Sequence, residues 1–454
     1  MSRSKSAARG RESRPVLHSA SSGAATDVLS ILQAAVGGPL PIRVRCWDGS
    51  VAGDPDAAAT VVFVRRRGLR RLLWAPGELG LVRAYVSGDM QIEGDIFALL
   101  DLPEVIDRVA HHQLIGLSPR QRLAAVLAAA RIGAVGLPPR RPAEEVRRRR
   151  GRLHSASRDA RSVSHHYDVG SEFYRLILGP SMVYSCAYWA QESGPAYGLD
   201  EAQRDKCELV CTKLGLRPGM RLLDVGCGWG SLAIHAATRH GVSVVGVTVS
   251  QGQATVARER VDAAGLGDLV QIRLQDYRDV HDGPYDAISS VGMSEHVGNA
   301  QLRAYCQTLM DLLPPGGRLL NHAIASVRPL PTDSKDQPGF IDRYIFPDGE
   351  VLTLSTTLDA LEQVGFEVRD VEALREHYAL TLRAWVNNLR DSWQDAQQLV
   401  PPSRARTWLL HLAASALAFE HGNLTIHQVV AVRQGEHGAS NLPLTREQWL
   451  TTAP

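Results

Sequence analysis

The 454-residue chain contains no run of 18 apolar residues, so no segment reads as a membrane-spanning helix. It has almost no net charge. Fifty Lys and Arg stand against 48 Asp and Glu, leaving +2, and a balance that even gives no argument for a nucleic-acid partner. Cysteine is scarce. The six are irregularly spaced with no CxxC, which argues against a disulfide framework, fits free thiols in a reducing cytoplasm and suggests no metal site. Aromatic residues make up only 6% of the chain. What remains is an ordinary soluble composition, 44% apolar and 22% charged, in a chain long enough for two or three domains with separate cores.

Residues 1–24 are rich in Arg and Ser and have no apolar centre. They read as a disordered tail, with a transit peptide as the weaker reading. An α+β domain is expected over residues 25–136. Within it, residues 41–77 alternate apolar and polar positions around Gly and Asp-Pro breaks and predict short antiparallel strands. Residues 79–134 show helical spacing, as in "DIFALLDLPEVIDRV" and "QRLAAVLAAARI". Residues 137–163 form an Arg-rich linker with few apolar side chains. It is either a solvated charged face or a surface for anionic headgroups, each nearby Arg contributing about 1 kcal/mol. No interleaved aromatics offer to stack bases.

The main domain is expected over residues 164–437, with a tail at 438–454. From residue 217 strands alternate with helices: "MRLLDVGCG", "VSVVGVTVS", "VQIRLQD", "YDAISSVGM" and "RLLNHAI" are strand-like, with helical segments between them. That alternation predicts a doubly wound parallel sheet, which binds ligands at the carboxyl ends of its strands. The loop "LLDVGCGWGS" follows the first strand and opens a helix. Its three alternating glycines let a backbone approach a ligand without Cβ clashes. No Gly-Lys-Ser/Thr follows, so it is not a phosphate-binding Walker loop. Asp224, Gly226, Cys227 and Gly228 instead resemble motif I of class I S-adenosylmethionine-dependent methyltransferases, whose Rossmann-like fold is then expected. The second strand lacks the acid that commonly holds the ribose in such folds. Thr248, Ser250 and Gln253 stand there and offer neutral hydrogen bonds. Gln275 and Asp276 follow the third strand, placed to accept from an adenine amino group.

Scarce aromatics make their clustering informative. Residues 165–189, "HHYDVGSEFYRLILGPSMVYSCAYW", hold Tyr167, Phe173, Tyr174, Tyr184, Tyr188 and Trp189 around Cys186. With "GCGWGSLAIHAA", "GVTVSQGQ", "VGMSEHVG", "FIDRYIFPDG" and "HYALTLRAWVNNL", this stretch resembles cyclopropane-fatty-acyl-phospholipid synthases and the related mycolic acid and branched fatty acid enzymes. The likeness runs over roughly residues 40–432. It implies methylation of a cis double bond in a phospholipid acyl chain, with S-adenosylmethionine as donor. An alkene is a weak nucleophile, so the donor must be a sulfonium, and methyl addition leaves a carbocation. Aromatic faces suit both cations at about 0.5–2 kcal/mol each. The resemblance implies that Tyr184 and Ser185 touch the cofactor. It also implies a bound bicarbonate as base, held by Cys186, Glu295, His322, the Ile324 amide and Tyr378. Singly, these residues have duller readings as a helix-terminal acid, a core histidine and a packed thiol.

Two positions depart from the family. Ser415 stands where many members carry cysteine, and Ser294 where many carry a bulky apolar residue. A cofactor-binding protein without chemistry and a methyltransferase for a polar small molecule are the competing readings. The intact base set opposes the first, and the missing polar-substrate motif opposes the second. The resemblance further implies a cytoplasmic enzyme, peripheral at the inner membrane face. It allows a homodimer and, for a methylene product, a separate reductase as protein partners.

Overall fold

The structure, a computed structural model, describes residues 23–36, 38–102, 119–146, 170–328, 339–346 and 349–451. Near the N-terminus lie four short strands, β1 (Arg43–Cys46), β2 (Val51–Gly53), β3 (Ala59–Phe63) and β4 (Met90–Gly94), in the order β2-β1-β3-β4, with the β-branched run Thr60–Val62 at their centre. β1 and β2 pair antiparallel, as do β3 and β4, but β1 and β3 run parallel. The expected all-antiparallel reading of residues 41–77 fails at a second point, because Arg66–Trp74 is a helix. Its arginines obscure the pattern. Leu69 is buried, and the buried Arg71 donates from Nε to Asp89 at 2.8 Å. Residues 103–118, part of the expected helical stretch, lie outside the described residues.

The large sheet contains β5 (Arg221–Val225), β6 (Ser243–Thr248), β7 (Val270–Leu274), β8 (Ala287–Val291), β9 (Arg318–Ser326), β10 (Phe366–Ala373) and β11 (Leu424–Arg433). Their order is β10-β11-β9-β8-β5-β6-β7. β7, β6, β5, β8 and β9 are parallel neighbours, while β11 lies antiparallel between β9 and β10. Val and Leu fill β5 and β6 at the centre, which are buried on both faces. The order reverses between β5 and β8, which opens a crevice at their carboxyl ends.

A helical layer covers one end of the sheet. Ser171–Leu178, Arg375–Asp391 and Pro402–Glu420 bury an aromatic core that includes Tyr174, Trp385 and Trp408. Leu410 on the last of these helices packs instead with Phe340, Tyr344 and the N-terminal core. One helix therefore belongs to both cores. Glu145, inside the Arg-rich linker of the sequence, is buried and takes two hydrogen bonds from Arg83 at 2.6 and 2.7 Å. The arginine run at 147–150 and Tyr167 lie outside the described residues. Among the described residues, no helix is long and apolar enough to cross a membrane.

Candidate active site

The loop after β5 turns on glycines that other residues could not replace cheaply. Gly226, Gly228 and Gly230 adopt φ of 78°, 54° and 79°. Together with the ends of β6, β7 and β8 this loop walls a cavity. Ten of the eleven expected cofactor residues line it: Tyr184, Ser185, Asp224, Gly226, Cys227, Gly228, Thr248, Gln253, Gln275 and Asp276. Ser250 does not. Its hydroxyl accepts from the Gln253 amide at 3.3 Å and caps the helix Gln251–Ala263.

Hydrogen bonds inside the cavity wall define what it offers a ligand. Asp224 accepts from Ser289 at 2.8 Å through Oδ1, while Oδ2 is buried without a partner. Burial pushes this carboxyl up to about 6, against the Ser289 bond and the charge of Lys206. Lys206 is 2% exposed, and its ammonium donates to the neutral Ser185 hydroxyl at 3.2 Å. An unsatisfied carboxylate oxygen and a buried ammonium thus share one cavity, a donor–acceptor pair suited to the two charged groups of an α-amino acid. Lys206 was not legible as a site residue, because lysine on an amphipathic helix usually points to solvent. At the other end, Thr248 donates to Gln253 at 2.9 Å. Gln275 gives its amide N–H to the Asp279 carbonyl at 2.7 Å. Asp276 is already gripped by the Arg278 guanidinium at 2.6 and 2.8 Å, which outweighs burial and holds its carboxyl below the usual range. Any further acceptance by Asp276 must use its remaining lone pairs.

Beside the glycine loop the aromatic residues meet. Tyr184 and Trp229 line the cavity. Tyr184 lies 5.3 Å from Trp385 and 5.8 Å from Trp408, and Tyr174 lies 4.9 Å from Trp229, centroid to centroid. Phe173 packs edge-on against Trp408 in the same core. Tyr188 and Trp189 face elsewhere: Tyr188 stacks on His377, and Trp189 donates to Thr381. The dense stretch therefore splits between a cavity wall and ordinary packing.

Of the five residues of the expected anion site, Glu295 meets the Ile324 amide directly, and Cys186, Tyr378 and Ile324 share one apolar core. Cys186 is fully buried, and its thiol donates to the Ala187 carbonyl at 3.1 Å and lies 3.7 Å from the Leu374 carbonyl. Tyr378 starts one turn after Leu374 and packs on Phe419 at 4.7 Å. Ile324 packs against this core from β9. Its amide donates to Glu295 Oε1 at 2.8 Å, so in this structure the amide serves the carboxylate itself. Glu295 Oε2 is buried without a partner, and so are both ring nitrogens of His322, which is 1% exposed. Burial pushes Glu295 up to about 7 despite the Ile324 bond, and burial holds His322 well below the ordinary histidine value, so it is neutral. Burial also raises the Cys186 thiol, which stays protonated. A neutral imidazole and an unsatisfied carboxylate oxygen are costly to bury with nothing attached, so this donor set fits a small polar guest such as bicarbonate. Ser294 is buried next to Glu295, and Ser415 Oγ lies 3.4 Å from His411 Nδ1.

The profile of the mycolic acid cyclopropane synthetase family matches residues 154–429. A probable fatty acid methyltransferase of Mycobacterium tuberculosis is 41% identical over 93% of this chain and 97% of its own length. The cyclopropane-fatty-acyl-phospholipid synthase of Escherichia coli is 39% identical over 60% of this chain and 68% of its own. Among solved structures, the mycolic acid cyclopropane synthase CmaA1 complexed with SAH and CTAB superposes with a TM-score of 0.56 at 32% identity, covering 60% of this chain and 98% of that one.

Proposed function

Since the chain belongs to the mycolic acid cyclopropane synthetase family of S-adenosylmethionine-dependent methyltransferases, we propose that it adds a methyl carbon to a cis double bond of a phospholipid acyl chain. The observation that supports this reading is a cavity walled by the aromatic faces of Tyr184 and Trp229 in a chain that also buries unsatisfied polar atoms on Glu295 and His322.

S-adenosylmethionine supplies an electrophilic methyl group on a sulfonium. Asp224 accepts from the amino group of its methionine half, and Lys206 donates to the carboxylate. Lys206→Met should therefore weaken cofactor binding by roughly 10–100-fold, the worth of one charge-assisted hydrogen bond. Calorimetry checks this, and parental affinity in the folded variant would remove Lys206 from the binding role. Gln275 and Asp276 flank the adenine end. Tyr184, Trp229 and their neighbours exclude water and present π-faces to the carbocation left on the lipid. Cys186, Glu295, His322, Tyr378 and the Ile324 amide, once turned from Glu295, would hold a bicarbonate, which would supply the base. The Glu295 carboxylate would accept the bicarbonate hydroxyl proton, while His322 and Tyr378 would donate and fix orientation.

Loss of that proton with ring closure gives a cyclopropane. A second ending from the same cation is a methylene branch that a separate reductase would turn into a methyl branch. The buried Ser294 hydroxyl, with its small volume, sets the room in which that choice is made. The work takes place at an anionic membrane surface, approached through the basic segment at 137–163. Incubation with labelled S-adenosylmethionine and vesicles tests the proposal. Label should enter the acyl chains of cis-unsaturated anionic phospholipid, not saturated phospholipid, and should fall with rising salt. Equal labelling of saturated vesicles would contradict it.

A further inference from the structure

Away from the cavity, two neighbouring helices bring four metal-binding side chains together. Glu208 and Cys211 lie one turn apart on Leu199–Leu214. His235 and His240 come from Ser231–His240. The Cys211 thiol and the two imidazoles each place a ligand atom within 4.8 Å of the others. Glu208 completes the group, with Oε2 2.8 Å from His235 Nε2 and Oε1 3.1 Å from His240 Nε2. Cys211 is fully buried and His240 is 4% exposed. The His240–Glu208 contact lies off the hydrogen-bonding direction, and both His240 ring nitrogens are buried without a hydrogen-bond partner. Such an imidazole needs an occupant on at least one nitrogen.

We propose that Cys211, His235, His240 and Glu208 bind one zinc-class divalent cation that ties these two helices together. One sulfur, two imidazole nitrogens and one carboxylate form a borderline-soft donor set, which favours zinc over calcium or magnesium, whose sites are built of oxygen. Four protein donors fill a tetrahedron and leave no open position, so the cation is structural rather than catalytic. Tetrahedral donors about 2.0–2.3 Å from a metal stand roughly 3.3–3.8 Å from one another, so the site closes with side-chain movements of about 1 Å. Binding breaks the Cys211 S–H bond, forms a sulfur–metal bond and releases the proton to solvent. Thiolate and carboxylate then balance the two positive charges, so a neutral group is buried.

None of the four lines the cofactor cavity, but both helices border it. Ser231–His240 begins at Gly230 of the glycine loop, and Leu199–Leu214 carries Lys206. The cation would brace the cavity from behind.

The test uses the full chain, stripped with a chelator and titrated with cobalt(II) alone. One equivalent should give intense tetrahedral d–d bands and a thiolate-to-cobalt charge-transfer band, both erased by zinc(II). Zinc should also raise Tm by on the order of 5 °C. Cys211→Ser should lose the charge-transfer band, and His240→Gln should bind cobalt at least about 100-fold more weakly. A parent chain that shows no thiolate band, or no Tm rise with zinc, overturns the site without recourse to any variant. So does a His240→Gln chain that binds cobalt as tightly as the parent.

Discussion

Glu295→Gln lowers turnover by about 10²–10⁴-fold, the usual worth of a general base, and leaves S-adenosylmethionine affinity close to that of the parent. The amide keeps the shape of the side chain but loses its charge and presents a donor where an acceptor is needed. Glu295 contacts the Ile324 amide and does not line the cofactor cavity, which is why binding and turnover should separate. A pH profile sharpens the expectation. Burial pushes the Glu295 carboxyl up from 4.5 to about 7, and only the carboxylate can accept a proton. The parental rate should rise with pH through about 7, and the residual rate of the variant should lack that limb. Stability carries the opposite sign. A carboxyl that holds its proton more tightly when folded contributes stability below about 4.5 that is lost as pH climbs through about 7. Glu295→Gln removes that loss, so its Tm at pH 8 should equal or exceed the parent's. Removing bicarbonate from the buffer should slow the parent far more than the variant. A variant with the parental rate, or a parent indifferent to bicarbonate, would take Glu295 out of the mechanism, with His322 and Tyr378 next to test.

Gly226→Val abolishes cofactor binding, by at least about 100-fold, since roughly 3 kcal/mol of lost contacts suffices. The cause is not the one the sequence suggests. A bare loop glycine reads as space kept clear for the ligand. In the structure, a Cβ at Gly226 would come within 2.5–2.6 Å of the Met293 side chain, and the backbone holds φ at 78°. Valine therefore strains the turn and drives Met293, itself part of the wall, out of place. Calorimetry with S-adenosylmethionine reads the effect. Unchanged affinity in a variant with parental circular dichroism would mean that the loop does not shape the cofactor site.

Legibility followed sequence distance. Strands β5 to β9 could be read because each is a short stretch with apolar residues, set between helical segments and bounded by Gly, Pro or a helix signal. The segment Arg66–Trp74 was misread because its arginines hide a helical stripe of Leu69, Leu72 and Leu73. β10 and β11 escaped notice because they lie beyond the alternating pattern and complete the sheet antiparallel. At the site, the glycine loop and the aromatic stretch announced themselves locally. The Glu295–Ile324 bond joins residues 29 apart, and only the family likeness pointed to it. Asp276 looked free to meet adenine, yet Arg278, two residues on, already holds it. The cluster around Cys211 stayed hidden for a related reason. Its ligands sit three apart on one helix and five apart on the next, and neither spacing is a zinc signature.

Deuterium counting tests the central claim most directly. The donor carries a fully deuterated methyl group, the acceptor is a cis-monounsaturated phospholipid, and mass spectrometry reads the recovered acyl chains. Alkene methylation followed by loss of a proton from the new carbon leaves two of the three deuterons on the acyl chain, in a cyclopropane or a methylene branch alike. An acyl product that keeps all three, or label confined to a headgroup, would contradict the account.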